Sequence, residues 1–235
     1  MKQPNSYYKQ EAKSLMEGKY SVVIPLMLIL GFIAGLPEFL SRNFFAPKRE
    51  IDWQTFEIIT LDPGNPALVY LMSLLTFALG AIIAYSTVRM FIQVAQNERP
   101  EFEPIIKVGF VEKPIRTLIT TFLVGLYVFL WSLLLIIPGI IKAYAYSMSI
   151  YLLNKEPELD AADAITKSKD YTTGKKGSLF YLDLSYLGWY ILGIFTFGIL
   201  WFWIIPKHQT AKILMFNEIY EEKNPKPILI DEAVE

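Results

Sequence analysis

Two stretches of the chain, Tyr20 to Leu40 and Pro66 to Ile92, are apolar almost without interruption. A bilayer core about 30 Å thick is crossed by roughly 20 helical residues, so each stretch predicts one membrane-spanning helix. A third stretch, Leu118 to Leu153, holds a single charge, Lys142. As one straight helix it would be about 54 Å long, too long for one crossing. Pro138-Gly139 divides it, because proline lacks the amide donor and glycine permits a reversal. Spans over 118–137 and 140–153 are therefore expected. The last apolar stretch, Leu179 to Ile205, reads either as one tilted span or as two short ones divided between Gly193 and Gly198. The second reading, with spans over 178–192 and 198–216, is preferred. It requires Lys207, His208 and Lys212 to turn inward or towards the interface.

The first apolar run follows Lys2, Lys9, Lys13 and Lys19 but is longer than the roughly 7–15 residues of a signal-peptide core, so it is read as a retained span. Lysines and arginines near span ends mark the cytoplasmic side. They gather before the first span, after the second (Arg99, Lys107, Lys113, Arg116) and after Leu153 (Lys155, Lys167, Lys169, Lys175, Lys176). The 41–65 loop balances Arg42, Lys48 and Arg49 against Glu50, Asp52, Glu57 and Asp62 and is the extracytoplasmic one. Six spans at about 20–40, 66–92, 118–137, 140–153, 178–192 and 198–216 leave every basic loop inside. They also return the 217–235 tail to the cytoplasm, as in a bacterial inner-membrane protein with both termini cytoplasmic.

Composition agrees with a bilayer as solvent: 53% of the 235 residues are hydrophobic and only 19% charged, against about 25% charged in soluble domains. The net charge of −1 is segregated by loop and gives no reason to expect nucleic acid. Without cysteine, and with His208 as the single histidine, the chain has no disulfide framework and no thiolate or zinc-enzyme ligand set. "GKKGS" at Gly174 to Ser178 lacks the first glycine and the spacing of a phosphate loop. No cofactor or metal is expected.

"EAKSLMEGKYSVVIPL" (Glu11 to Leu26) and "KSKDYTTGKKGSLFYL" (Lys167 to Leu182) share a basic polar turn, a Gly-Lys pair and an immediate plunge into apolar sequence, and Phe102 to Leu123 is a looser third copy. Each copy reads as a short amphipathic helix lying in the headgroup plane and feeding a helical hairpin. The expected fold is thus an all-α integral membrane bundle of about six helices, arranged as three hairpins with cytoplasmic amphipathic helices.

The chain also resembles a family. "EAKSLMEGKY", the Ile-Pro-Gly-Ile turn at Ile137 to Ile140, Tyr146-Ser147-Met148, the Ala164 and Ser168 helix ending at Gly174-Lys175, and Asp183-Leu184-Ser185 before Gly188-Trp189 are similar to an uncharacterised family of bacterial polytopic membrane proteins, domain of unknown function number nine-seven-five. The resemblance covers nearly the whole chain. One departure is Pro206-Lys207, where the family commonly has Pro-Tyr. The resemblance implies fold and membrane location and brings no established activity.

Asp183 stands about 9 Å into an apolar helix, where acids are costly and often functional. It either pairs with Lys142 in the bundle interior, or Lys142 snorkels to the surface while Asp183 bonds a helix end. Lys167, Lys169, Lys175 and Lys176 either bind anionic headgroups or only fix topology. Gly31 and Gly35, with Pro138 and Gly139, are candidate helix-packing positions. Three functional classes follow: a non-enzymatic component interacting with membrane lipids or partner proteins, which is preferred; a small-solute or amphiphile transporter, for which Asp183, Lys142, Ser147 and Ser185 are the available polar side chains; and a bilayer-embedded lipid-modifying enzyme, disfavoured for want of clustered His, Asp or Glu.

Overall fold

The long apolar runs fold as helices, and among the described residues five segments are long and apolar enough to cross a membrane: Tyr20–Phe45, Pro66–Ala95, Pro114–Leu134, Ile136–Lys155 and Lys176–Phe195. The computed structural model describes residues 3–107, 110 and 114–225. Most of the tail expected over 217–235, and the basic position Lys113, lie outside the described residues. The fold is an all-α membrane bundle.

Helix α1 (Asn5–Met16) leads into α2 (Tyr20–Leu40), which ends in a short π-helical turn, Ser41–Phe45. The loop that follows is ordered as an exposed antiparallel hairpin of β1 (Lys48–Ile51) and β2 (Ile58–Asp62). The Asn65 amide donates to the Phe45 carbonyl at 2.9 Å and closes its base. Helix α3 (Pro66–Ala95) starts with proline at its first position, and the Asn65 side chain caps it by accepting from the Leu68 amide at 3.2 Å. After α4 (Phe102–Lys107) come α5 (Pro114–Leu134), α6 (Ile136–Tyr146) and α7 (Ser149–Lys155).

The break in the third apolar stretch falls at Leu135 (φ −161°, ψ 144°) and not at Pro138-Gly139. Those two residues instead occupy the first turn of α6. Helix-start amides have no intrahelical acceptor, so proline's missing N–H costs nothing there. Helices α8 (Ala161–Tyr171), α9 (Lys176–Phe195) and α10 (Trp201–Lys223) complete the chain. The last apolar stretch is therefore two helices, reversed at Phe197 and Gly198, whose φ values are 51° and 84°.

The two better copies of the repeat share one geometry. Gly18 and Gly174 have φ of 76° and 77°, a conformation that favours glycine. The following Lys19 and Lys175 have φ, ψ of −100°, −11° and −109°, −11°. Positions 156 apart are then buried in register: Met16 and Thr172, Val23 and Leu179, Leu26 and Leu182, Leu30 and Tyr186.

The apolar stripes of the short helices are largely buried against protein. Tyr8, Ala12 and Met16 of α1 are buried, as are Ile105 of α4 and Ala164, Ile165, Ser168 and Tyr171 of α8. A one-sided stripe of helical period requires burial but does not name what buries it. In α1 the cover is α10 with α3 and α9 beside it, and the Tyr8 hydroxyl donates to Glu218.

Burial is polarised along the bundle. In α3 the buried residues run from Ala81 to Val94, while Tyr70, Leu71, Leu74, Leu75 and Phe77 are exposed. In α5, Thr117 and Thr120 are buried but Phe129, Leu130, Leu133 and Leu134 are exposed. The α9–α10 turn exposes Ile194, Phe195, Phe197 and Ile199, and the buried residues of α10 begin at Ile204. The hairpins thus join in a packed base and splay into apolar tips.

Candidate functional site

Asp183 lies in α9 one and two turns before Tyr186 and Tyr190, so all three share a face. His208 and Lys212, four apart on α10, present a matching face, and the antiparallel packing of the two helices brings the faces together. His208 Nε2 stands 2.8 Å from Asp183 Oδ1, and Lys212 Nζ stands 3.3 Å from Oδ2. From α6, the Tyr144 hydroxyl donates to Oδ2 at 2.8 Å. The Tyr190 hydroxyl meets His208 Nδ1 at 2.8 Å, and Tyr186 stacks on the imidazole with centroids 4.5 Å apart.

A carboxylate only accepts, so Nε2 carries the proton; in the neutral ring Nδ1 then accepts from Tyr190. Asp183 and Lys212 cancel in charge, and each Asp183 oxygen has hydrogen-bond donors. That satisfies the condition for keeping an ion pair in partly buried surroundings. Chemically, a phenol–imidazole–carboxylate chain can pass a proton. Among the described residues no three His, Cys, Asp or Glu stand together as a metal group.

Lys142 lies over the Trp131 ring, 4.3 Å from its centroid. Asp183 is therefore partnered by Tyr144, His208 and Lys212 rather than by Lys142. The reason is angular. Tyr144 follows Lys142 by two residues, about 200° around a helix, so the hydroxyl reaches α9 and the lysine turns back along the α5–α6 hairpin. Ser147 and Ser185 donate to the Tyr144 and Leu182 carbonyls of their own turns, at 2.9 Å and 2.7 Å.

The four lysines singled out around α8 divide into two kinds. Lys167 pairs with Glu156 at 2.6 Å, and Lys175 with Glu222 at 2.8 Å. Lys169 and Lys176 have no carboxylate partner among the described residues. Hydrogen bonding to Glu222 raises the Lys175 ammonium above its ordinary value, and the same bond holds the Glu222 carboxyl below its own. A raised lysine loses its contribution as pH climbs through its folded value, and a depressed carboxyl as pH falls through its own. This tie between α9 and α10 is consequently complete between about pH 5 and pH 10.

Of the packing positions, Gly139 does bring helices close: a Cβ there would stand 2.1 Å from Ser132 Oγ. Gly31 and Gly35 do not, since among the described residues no atom beyond the adjacent helix backbone and chain neighbours comes within 4 Å of a Cβ at either. The buried face of α2 is formed by Val23, Leu26, Leu30 and Pro37. Gly193, outside that set, is another close helix approach: its Cβ would meet the Trp201 ring at 2.0 Å.

Five apolar segments and a charge-neutral polar knot between the last two helices and α6 define a multi-pass helical membrane protein. Residues 132–223, from the end of α5 to the end of α10, match the family model described as "Protein of unknown function (DUF975)", the family that the sequence motifs resemble. No curated protein and no solved structure matches the chain.

Proposed function

We propose that the protein is a non-enzymatic component of a bacterial inner membrane that acts by binding lipid, with its packed, basic base in the cytoplasm and α10 returning the chain there. The observation that carries this reading is the polarised burial. Apolar tips exposed over a whole end of the bundle have lipid as their natural cover, and the basic turns at Gly18-Lys19 and Gly174-Lys175 mark the opposite end. The polar side chains that a transport path would use are tied to one another or to their own helices. Asp183 is held by Tyr144, His208 and Lys212, and Ser147, Ser185 and Lys142 are held within their own hairpins.

The reading is tested by thermal unfolding of the detergent-purified protein with added phosphatidylglycerol or phosphatidylcholine. A ligand that binds only the folded state at about 100 times its Kd stabilises by about 2.7 kcal/mol. The anionic lipid is expected to raise Tm by several degrees and the zwitterionic lipid by less. Equal, negligible shifts with both lipids would contradict the reading.

A further inference from the structure

A second charged locus lies beside the polar knot and takes no part in it. Lys9 and Lys13 of α1, one turn apart, and Lys207 of α10 surround a cleft of about 190 Å³ whose remaining wall is Tyr186, Trp189, Leu200, Trp203 and Ile204. Lys9 Nζ donates to the Ser185 carbonyl at 3.3 Å and lies 5.0 Å from the Tyr186 ring centroid. Lys207 Nζ lies 5.8 Å from the ring of Tyr20. None of the three has a carboxylate partner among the described residues, although Lys212 on the same helix finds Asp183.

We propose that this cleft holds the phosphate headgroup of an anionic phospholipid, with Lys9, Lys13 and Lys207 as its cationic rim and Trp189 and Trp203 as its apolar wall. The inference rests on the lipid-binding reading above and gives it a lipid class and a place. Three observations converge on it. The lysines come from two elements far apart in sequence and meet without counter-charge, which calls for an anion from outside the chain. The wall is not polar, since Trp189 and Trp203 are 51% and 44% exposed and continue into the exposed Leu187, Leu192, Trp201 and Phe202 of the α9–α10 hairpin. A soluble anion would leave that surface in water, whereas a lipid covers it with acyl chain. Finally, lysine and tryptophan side by side at the edge of an apolar zone is the arrangement that suits the headgroup level of a bilayer.

Lipid retention by native mass spectrometry, on full-length protein exchanged into mixed phosphatidylglycerol and phosphatidylcholine micelles, tests the site. The wild type is expected to keep phosphatidylglycerol in preference. The pair Lys13→Gln and Lys207→Gln is expected to weaken that retention by tenfold or more, in keeping with the surface attraction of each basic residue. Lys9 is left in place because it also ties α1 to α9. Lys13→Gln alone, at an exposed position, carries the same prediction at about fivefold and guards against misfolding of the double variant. The control pair Lys169→Gln and Lys176→Gln is expected to leave retention unchanged. If the wild type prefers phosphatidylglycerol and both pairs of variants keep that preference, the cleft is overturned as the site while lipid binding stands. If the wild type shows no preference, the site falls together with the lipid-binding reading. Displacement of the lipid by millimolar inorganic phosphate would also overturn the assignment, because it would show a site for the free anion.

Discussion

Asp183 is the residue on which sequence and structure meet most closely. A carboxylate within an apolar helix demands partners, and that demand is legible from "LFYLDLSYLGW" alone. Which partners answer it is not legible, because Tyr144, His208 and Lys212 come from helices whose rotation is set by packing. Lys142 lies two residues from Tyr144 and still faces Trp131. The spacing of His208 and Lys212 by four was the available signal, since it places two donors on one face opposite an acid. Asp183→Asn leaves Lys212 without a counter-charge and is expected to cost about 2 kcal/mol, below the loss at a fully buried pair. Lys142→Ala is expected to cost no more than about 1 kcal/mol. A double-mutant cycle by thermal unfolding should show Asp183 and Lys142 additive within about 0.5 kcal/mol, and Asp183 and Lys212 coupled beyond it. Coupling of Asp183 to Lys142 instead would restore the pair expected from sequence.

At the scale of elements, hydrophobic run length placed the helices well, and Tyr20–Leu40 is bounded as the pattern predicts. Run length says less about breaks and faces. Leu135 breaks the third stretch because a helix can begin just ahead of Pro138, and glycine spacing cannot show whether a neighbour lies opposite. Gly31 and Gly35 face open space, while Gly139 and Gly193 lie under Ser132 and Trp201. The Trp201 indole also donates to the Tyr190 carbonyl at 3.1 Å, which fixes the ring over Gly193. Gly193→Ala and Gly139→Ala are therefore expected to destabilise by about 1–3 kcal/mol through overpacking. Gly31→Ala and Gly35→Ala are expected to be neutral or to stabilise by up to about 1 kcal/mol, as alanine does within a helix. Thermal unfolding of the four variants in one detergent checks the contrast, and a loss at Gly35 equal to that at Gly193 would show a neighbour lying against α2.

Over the whole molecule, the repeat is the feature that sequence carries and structure sharpens. Two Gly-Lys turns of nearly the same geometry feed α2 and α9, with buried positions in register behind and ahead of them. Missing from the sequence was what covers the short helices' apolar stripes, which build the packed base. Exposed apolar surface is concentrated at the hairpin tips. Lipid binding at the cleft requires one orientation, with the base and the cleft at the cytoplasmic surface, the tips of the first two hairpins reaching across the bilayer and the α9–α10 tip entering it. Helix α5, about 30 Å long at 21 residues, is sufficient for that. The chain has no cysteine, so single cysteines introduced at Ser6, Thr55, Leu135, Thr173 and Phe197 can be probed in intact cells with a membrane-impermeant thiol reagent. Labelling at Thr55 and Leu135 from outside, with Ser6 and Thr173 labelled only after lysis and Phe197 not labelled from outside, is the result this orientation predicts; external labelling of Ser6 or Thr173 would contradict it.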